Sequence, residues 1–196
     1  SDVYKRQEEL RDAAKSCQAG KLKDKALVVS VYSKLTDEQR QSRLGEEITS
    51  LLSISSTVQE GDKIVDAELK DIEGNIHHLS DYKGKYILLD FWSRYCGPCL
   101  DAFPLLKEIA EKYKEKIVVI SLSVDPEAVW KETEVKESAD NWLQLSDGLG
   151  MSGIAAHYGV HALPSFIYIS PESTVLKAGQ GYKFLSEDIR TFIKDK

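Results

Sequence analysis

The run Tyr86-Ile87-Leu88-Leu89-Asp90-Phe91-Trp92 constrains this chain more than any other stretch. Apolar and polar residues alternate in a strand with one wet face, whereas a near-continuous apolar run suits a strand covered on both faces. Such a strand needs layers above and below it, which places the chain among α/β proteins. Three residues beyond the run, Cys96-Gly97-Pro98-Cys99 opens a segment that reads as a helix. Pro is welcome in a first helical turn. Leu100, Phe103, Leu106, Ile109, Ala110 and Tyr113 then recur at helical spacing.

The flanking segments extend this pattern. Upstream, Val65, Ala67 and Leu69 alternate with polar residues, Glu73-Gly74-Asn75 offers a turn, and Ile76 to Leu79 reads as a returning strand. Downstream, Ile117 to Val124 is predicted as a second buried strand and Pro126 to Ser138 as a helix with Ala128, Val129 and Val135 inward. Trp142, Leu143 and Leu145 form a short apolar link, and Ile154 to Tyr158 a short helix ended by Gly159. Ser165 to Ile169 and Val175 to Ala178 are predicted strands around a Pro171-Glu172-Ser173 turn, and Ser186 is predicted to cap a last helix carrying Ile189, Phe192 and Ile193. Strand–helix–strand units imply right-handed parallel crossovers, and the closing hairpin makes the sheet mixed.

Residues 1–56 have a different character. Tyr4, Leu10, Ala14 and Cys17 fall at loose helical spacing, with Gly20 as a stop. Ala26 to Leu35 reads as a buried helix, with a strand as the alternative. Thr36-Asp37-Glu38-Gln39 fits a capping box that starts a further helix with Leu44, Ile48, Leu51 and Leu52 on one face and Gly45 inside it. Ser and Thr crowd between Ser53 and Thr57, as in a linker. The expected division is therefore a helical segment over 1–56, a connector or the remnant of a larger N-terminal domain, and one full domain over 57–196.

A net charge of -6 with no long basic run argues against a nucleic-acid partner. No apolar stretch approaches the ~20 residues that span a bilayer. The sequence starts at Ser1 without an apolar signal region, which leaves a cytoplasmic chain or one that has lost a leader. Three cysteines suit one working pair plus a bystander, Cys17. Cys17 reads as a small buried hydrophobe. His77 and His78 are adjacent and point to opposite faces of a strand, so they do not share a metal. His161 lies near Pro164 and reads as part of a rim.

A Cys-x-x-Cys that follows a buried strand and opens a helix reads as a redox motif. Orphan N–H groups and the dipole at a helix N-terminus favour an anion, so Cys96 is the expected thiolate. Cys99 lies one turn in, covered and close enough to resolve a mixed disulfide. A zinc site takes about four protein ligands, and no second cysteine pair exists. Asp90 is an acid inside an apolar strand. Burial raises the pKa of such a group towards neutrality, where it can exchange protons.

The stretch Leu89 to Cys99 resembles the active-site strand and turn of the thioredoxins, and Ala162-Leu163-Pro164-Ser165-Phe166 resembles their cis-proline segment. Leu79-Ser80-Asp81-Tyr82-Lys83-Gly84-Lys85 and the strands before it are more specifically similar to the TlpA/ResA branch, which is related to AhpC/TSA proteins. The resemblance covers about residues 61–196. It implies a thioredoxin-like α/β fold with a central mixed sheet, helices on both faces and an N-terminal hairpin. It also implies a thiol-disulfide oxidoreductase that needs no cofactor and works outside the cytoplasm, often tethered to a membrane. Its partners would be protein disulfides and an upstream thiol electron donor. Residue by residue, Cys96 attacks, Cys99 resolves and Asp90 accepts the Cys99 proton. Trp92 packs beneath the site, and Tyr95, Gly97 and Pro98 form the partner surface. Pro164 is cis and leaves the Leu163 backbone to pair with an extended substrate. Tyr95 stands where thioredoxins more often carry Trp. Asp125 has two readings: an acid brought towards the site from the strand end or, preferred, a solvent-facing helix start before Pro126.

Two other activities stay open. A peroxidatic thiol needs an upstream hydroxyl and a Pro; Ser93 supplies the first, but Leu88 to Tyr95 holds no Pro. A copper-handling module would use soft thiolates with a nearby His or Met, and the chain has a single methionine, Met151.

Overall fold

A computed structural model describes residues 5, 8–13, 15, 35–53, 57–133 and 139–192. The chain divides into two compact units, Ser1–Thr57 and Val58–Lys196.

In the first unit, residues 8–13 are helical. Helices α1 (Asp37–Gln41) and α2 (Arg43–Ser53) follow. The Thr36 capping box is present: Gln39 N–H donates to Thr36 Oγ1 at 3.2 Å, and Thr36 N–H to Gln39 Oε1 at 2.8 Å. The single helix expected here is broken at Ser42, whose backbone is extended (φ -66°, ψ 152°). Ser42 Oγ accepts the Gly45 N–H at 3.1 Å, so this hydroxyl stops one helix and caps the next. Tyr4, Ala14, Cys17, Gly20 and residues 26–34 lie outside the described residues.

The second unit is built on a five-stranded sheet of β3 (Tyr86–Trp92), β4 (Ile117–Ser123), β5 (Trp142–Leu145), β6 (Ser165–Ile169) and β7 (Val175–Gln180). The spatial order is β5-β4-β3-β6-β7. β3 pairs in parallel with β4, and β4 with β5; β3 and β7 run antiparallel to β6. The apolar run of β3 thus sits at the centre, buried on both faces, as its composition demands. Leu88 and Trp92 face one core with Val119, Phe166 and Tyr168, beneath helices α3 (Gly97–Lys112) and α6 (Gly181–Phe192). Ile87, Leu89 and Phe91 face the other with Val118, Ile120 and Ile167, beneath a two-stranded hairpin, β1 (Leu69–Lys70) and β2 (Ile76–His77), and α5 (Ile154–His157). This is the mixed sheet with helices on both faces that the sequence led us to expect.

Several local expectations need correction. Trp142–Leu145 is an edge strand and no mere link, because its backbone pairs with Val119–Leu122. The helix after Pro126 is only α4 (Glu127–Lys131); Trp130 is its buried residue while Ala128 is exposed, and Val135 lies outside the described residues. The hairpin strands are two residues each, since Leu79 to Tyr82 turns into a 3-10 helix whose start is held by Asp66: its carboxylate accepts the Leu79 N–H at 2.7 Å. Ser186 lies inside α6 and donates to Lys183 O at 3.1 Å; the helix starts at Gly181, where φ is +78°. Leu100 is exposed, and the buried stripe of α3 is Cys99, Ala102, Phe103, Leu106, Ile109 and Ala110.

Candidate active site

The C-terminal end of β3 delivers the cysteine pair to the start of α3. Cys96 is the N-cap of that helix, and its Sγ accepts the Cys99 N–H at 3.2 Å. Pro98 lies in the first turn, where it forfeits no helical hydrogen bond. Cys96 and Cys99 are joined by a disulfide with S–S 2.09 Å and Cα atoms 5.3 Å apart. Cys96 is half-buried and Cys99 fully buried. One sulfur is therefore open to a partner and the other is enclosed.

The second wall comes from β6. Phe91 pairs with Ser165, so the residue before Ser165 lies beside the end of β3 from which the cysteine loop springs. The Leu163–Pro164 peptide bond is cis. Ser165 Oγ donates to Ala162 O at 2.7 Å and Gly181 N–H to Pro164 O at 3.0 Å, which tie both ends of the loop. Leu163 stays outside the sheet, half-buried, and packs with Cys96 on the same core cluster. Tyr95, Gly97, Pro98 and His161 are exposed around this face, Tyr95 at 75%. Trp92 is buried and packs edge-on against Phe103, with ring centroids 5.0 Å apart.

Asp90 is fully buried in β3 and, by strand alternation, faces the core that holds Leu88, Trp92 and Cys99. Burial pushes its carboxyl up to about 7, against the opposing pull of a hydrogen bond from Ser121 Oγ at 2.7 Å. Ser121 in turn accepts the Trp142 indole N–H at 2.8 Å. Neither Ser121 nor Trp142 stood out in the sequence as a site residue. The available signal was a polar residue inside the apolar run Ile117 to Val124, which faces Asp90 only through the register Asp90↔Ser121.

Asp125 overturns the preferred expectation. It is buried, and its carboxylate accepts the Ser93 hydroxyl at 2.6 Å, the Arg94 N–H at 2.7 Å and the Ser123 hydroxyl at 3.4 Å. Donors converging from two strand ends turn it inward, and Pro126 takes the helix-start position instead. Ser93 O accepts the Cys96 N–H at 3.0 Å, so Asp125 anchors the loop that presents the pair. His77 lies elsewhere: it bridges Tyr82 Oη at 2.9 Å and Asp71 Oδ2 at 3.1 Å within the hairpin. No group of three or more His, Cys, Asp or Glu among the described residues is arranged to hold a metal ion.

The AhpC/TSA family model matches residues 60–178. The chain belongs to the AhpC/TSA family. Among curated relatives, the thioredoxin-like protein YneN of Bacillus subtilis is 32% identical over 121 residues, which span 61% of this chain and 70% of YneN. The thiol-disulfide oxidoreductase ResA of Bacillus thuringiensis is 31% identical over 126 residues, spanning 63% of this chain and 70% of ResA. Among solved structures, the exposed lipoprotein thioredoxin Etrx1 of Streptococcus pneumoniae superposes with a TM-score of 0.55 at 28% identity, covering 65% of this chain and 97% of its own. The likeness to YneN, ResA and Etrx1 agrees with the sheet order and the position of the cysteine pair: the fold is thioredoxin-like, of the TlpA/ResA type.

Proposed function

We propose that this AhpC/TSA-family chain is a thiol-disulfide oxidoreductase that reduces protein disulfides through a Cys96–Cys99 dithiol/disulfide cycle. The observation that carries the reading is the asymmetric pair: Cys96 half-exposed at a helix N-terminus and Cys99 fully buried, within disulfide reach. Cys96 attacks the client disulfide as a thiolate, favoured by the Cys99 N–H that its Sγ accepts and by the dipole of the helix it caps. Cys99 then displaces the client from the mixed disulfide, and Asp90 takes the Cys99 proton. The Leu163 backbone beside cis-Pro164 pairs with an extended client segment, and Tyr95, Gly97 and Pro98 form the surface it meets, with Trp92 buried beneath them. An upstream thiol donor recharges the pair. Residues 1–56 serve as a connector ahead of the catalytic unit, and the working compartment is extracytoplasmic, with a membrane tether. The exposed-lipoprotein nature of Etrx1 supports that placement. No helix among the described residues is long and apolar enough to cross a membrane. The peroxidase alternative is disfavoured because the Ser93 hydroxyl already donates to Asp125.

The deciding experiment equilibrates the pair against defined dithiol buffers. A potential near that of thioredoxin, about -270 mV, is the expected result. A value near the strong oxidant's, about -120 mV, would reverse the direction of electron flow and overturn the reductase reading.

A further inference from the structure

We propose that Ser121, clamped by the Trp142 indole, is a positioning residue that turns Asp90 so that a single carboxylate oxygen receives the Cys99 proton. The inference rests on the proton-acceptor role of Asp90 given above and adds what sets it.

The geometry is directional. An indole N–H only donates, so Ser121 Oγ must accept at Trp142 Nε1. The one hydroxyl proton of Ser121 is then left to donate to Asp90 Oδ2, at 2.7 Å. Oδ2 is committed as an acceptor. Oδ1 has no hydrogen-bond partner among the described residues and is the oxygen left to take a proton.

Trp142 is itself fixed. Its ring packs edge-on against Phe103, with centroids 5.2 Å apart and planes at 85°, and Phe103 packs edge-on against Trp92. Phe103 lies one turn along α3 from Cys99, so the helix that carries the pair also holds the clamp. Around Asp90, α3 brings Cys99 to the shared core, with Cys96 packed at its margin. β4 presents Ser121, β6 presents Phe166, and β5 presents Gln144 and Trp142. The two thiols are the titratable groups in this set and none of its members is a fixed charge. The Ser121 hydroxyl is thus the contact that favours the carboxylate against its burial.

In the resolving step the Cys99 thiol gives its proton to Asp90 Oδ1. Cys99 Sγ attacks Cys96 Sγ, the Cys96–client S–S bond breaks, and its electron pair leaves on the client sulfur, which is then protonated. The Cys96–Cys99 disulfide forms, and two electrons have passed to the client.

The test uses the full chain carrying Cys17→Ser, reduced and mixed with 5,5′-dithiobis(2-nitrobenzoate) across a pH series. The first release of thionitrobenzoate reports attack by Cys96, and the second reports resolution by Cys99. Losing one hydrogen bond to a charged group raises the midpoint of the second phase in Ser121→Ala by about one pH unit. At pH 7 this slows resolution about fivefold, with the first phase unchanged. Trp142→Phe shifts the midpoint the same way by less, Ser121→Thr restores it, and Ser121→Ala adds nothing in an Asp90→Asn background. The double variant Ser121→Ala/Trp142→Phe leaves no indole N–H unpaired and reproduces the Ser121→Ala shift if the protein tolerates the single change poorly. A wild-type midpoint in both Ser121→Ala and the double variant, while Asp90→Asn flattens the profile, would overturn the positioning role alone. An unchanged profile in Asp90→Asn would instead remove the acceptor role on which it rests.

Discussion

Replacing Asp90 by Asn should stabilise the oxidised protein, and by more as pH rises. Folding takes this carboxyl from water to complete burial, with Ser121 as its compensating donor. Its pKa climbs from 3.8 to about 7 as a result. The native state therefore holds the proton more tightly than the unfolded chain does. The penalty is absent below the unfolded pKa, grows as pH rises from there, and is complete once pH exceeds the folded value. A shift of roughly three units corresponds to about 4 kcal/mol above pH 8. Between about pH 4.5 and pH 8.5 the wild type should lose about 3 kcal/mol relative to Asp90→Asn, because other titrations cancel in the comparison. With an m-value of about 2 kcal/mol per molar urea, the gap between their unfolding midpoints widens by about 1.5 M over that range. Urea titrations followed by far-UV circular dichroism, with the disulfide intact, measure it. A gap that stays constant with pH would refute the reasoning, because it would mean that Asp90 ionises in the fold without a burial penalty.

Asp125→Ala strips the buried acceptor from Ser93 Oγ and the Arg94 N–H, and should cost about 3 kcal/mol in urea unfolding while loosening the loop ahead of Cys96. Gly153→Ala drives a Cβ into the Asp147 carboxylate, which accepts the Ile154 N–H at 2.7 Å; a loss of about 1–3 kcal/mol is expected by thermal unfolding, although Gly153 has an ordinary negative φ. Tyr95→Ser removes an exposed ring from beside Cys96, so KM for a protein disulfide should rise several-fold while reduction of a small aromatic disulfide is unaltered. Cys99→Ser should accumulate a Cys96–client mixed disulfide, visible by non-reducing electrophoresis, because the resolving sulfur is gone.

Features written within a few residues of one another were legible in the sequence alone. The apolar run Tyr86–Trp92 determined a central strand, and Cys96 to Cys99 at a helix start determined the redox pair. The Thr36 capping box formed as expected, since its donors and acceptors are three residues apart. The burial of Asp90 followed from its position between Leu89 and Phe91, which leaves a central strand no wet face on which to put it. What surrounds Asp90 was decided by the tertiary structure. Ser121 reaches it from 31 residues away because β4 pairs with β3 in one register, and a slip by a single residue would turn Ser121 to the opposite face. Trp142 looked like part of a link, because a four-residue edge strand has too short a pattern to announce itself before β4 is there to pair with it. Asp125 looked like a surface helix start, and the donors that draw it inward, Ser93 and Arg94, lie over thirty residues upstream. Local periodicity encodes which face of an element is buried. The partner a buried polar group meets there is set by register and packing between elements, and these become definite only when the sheet has assembled.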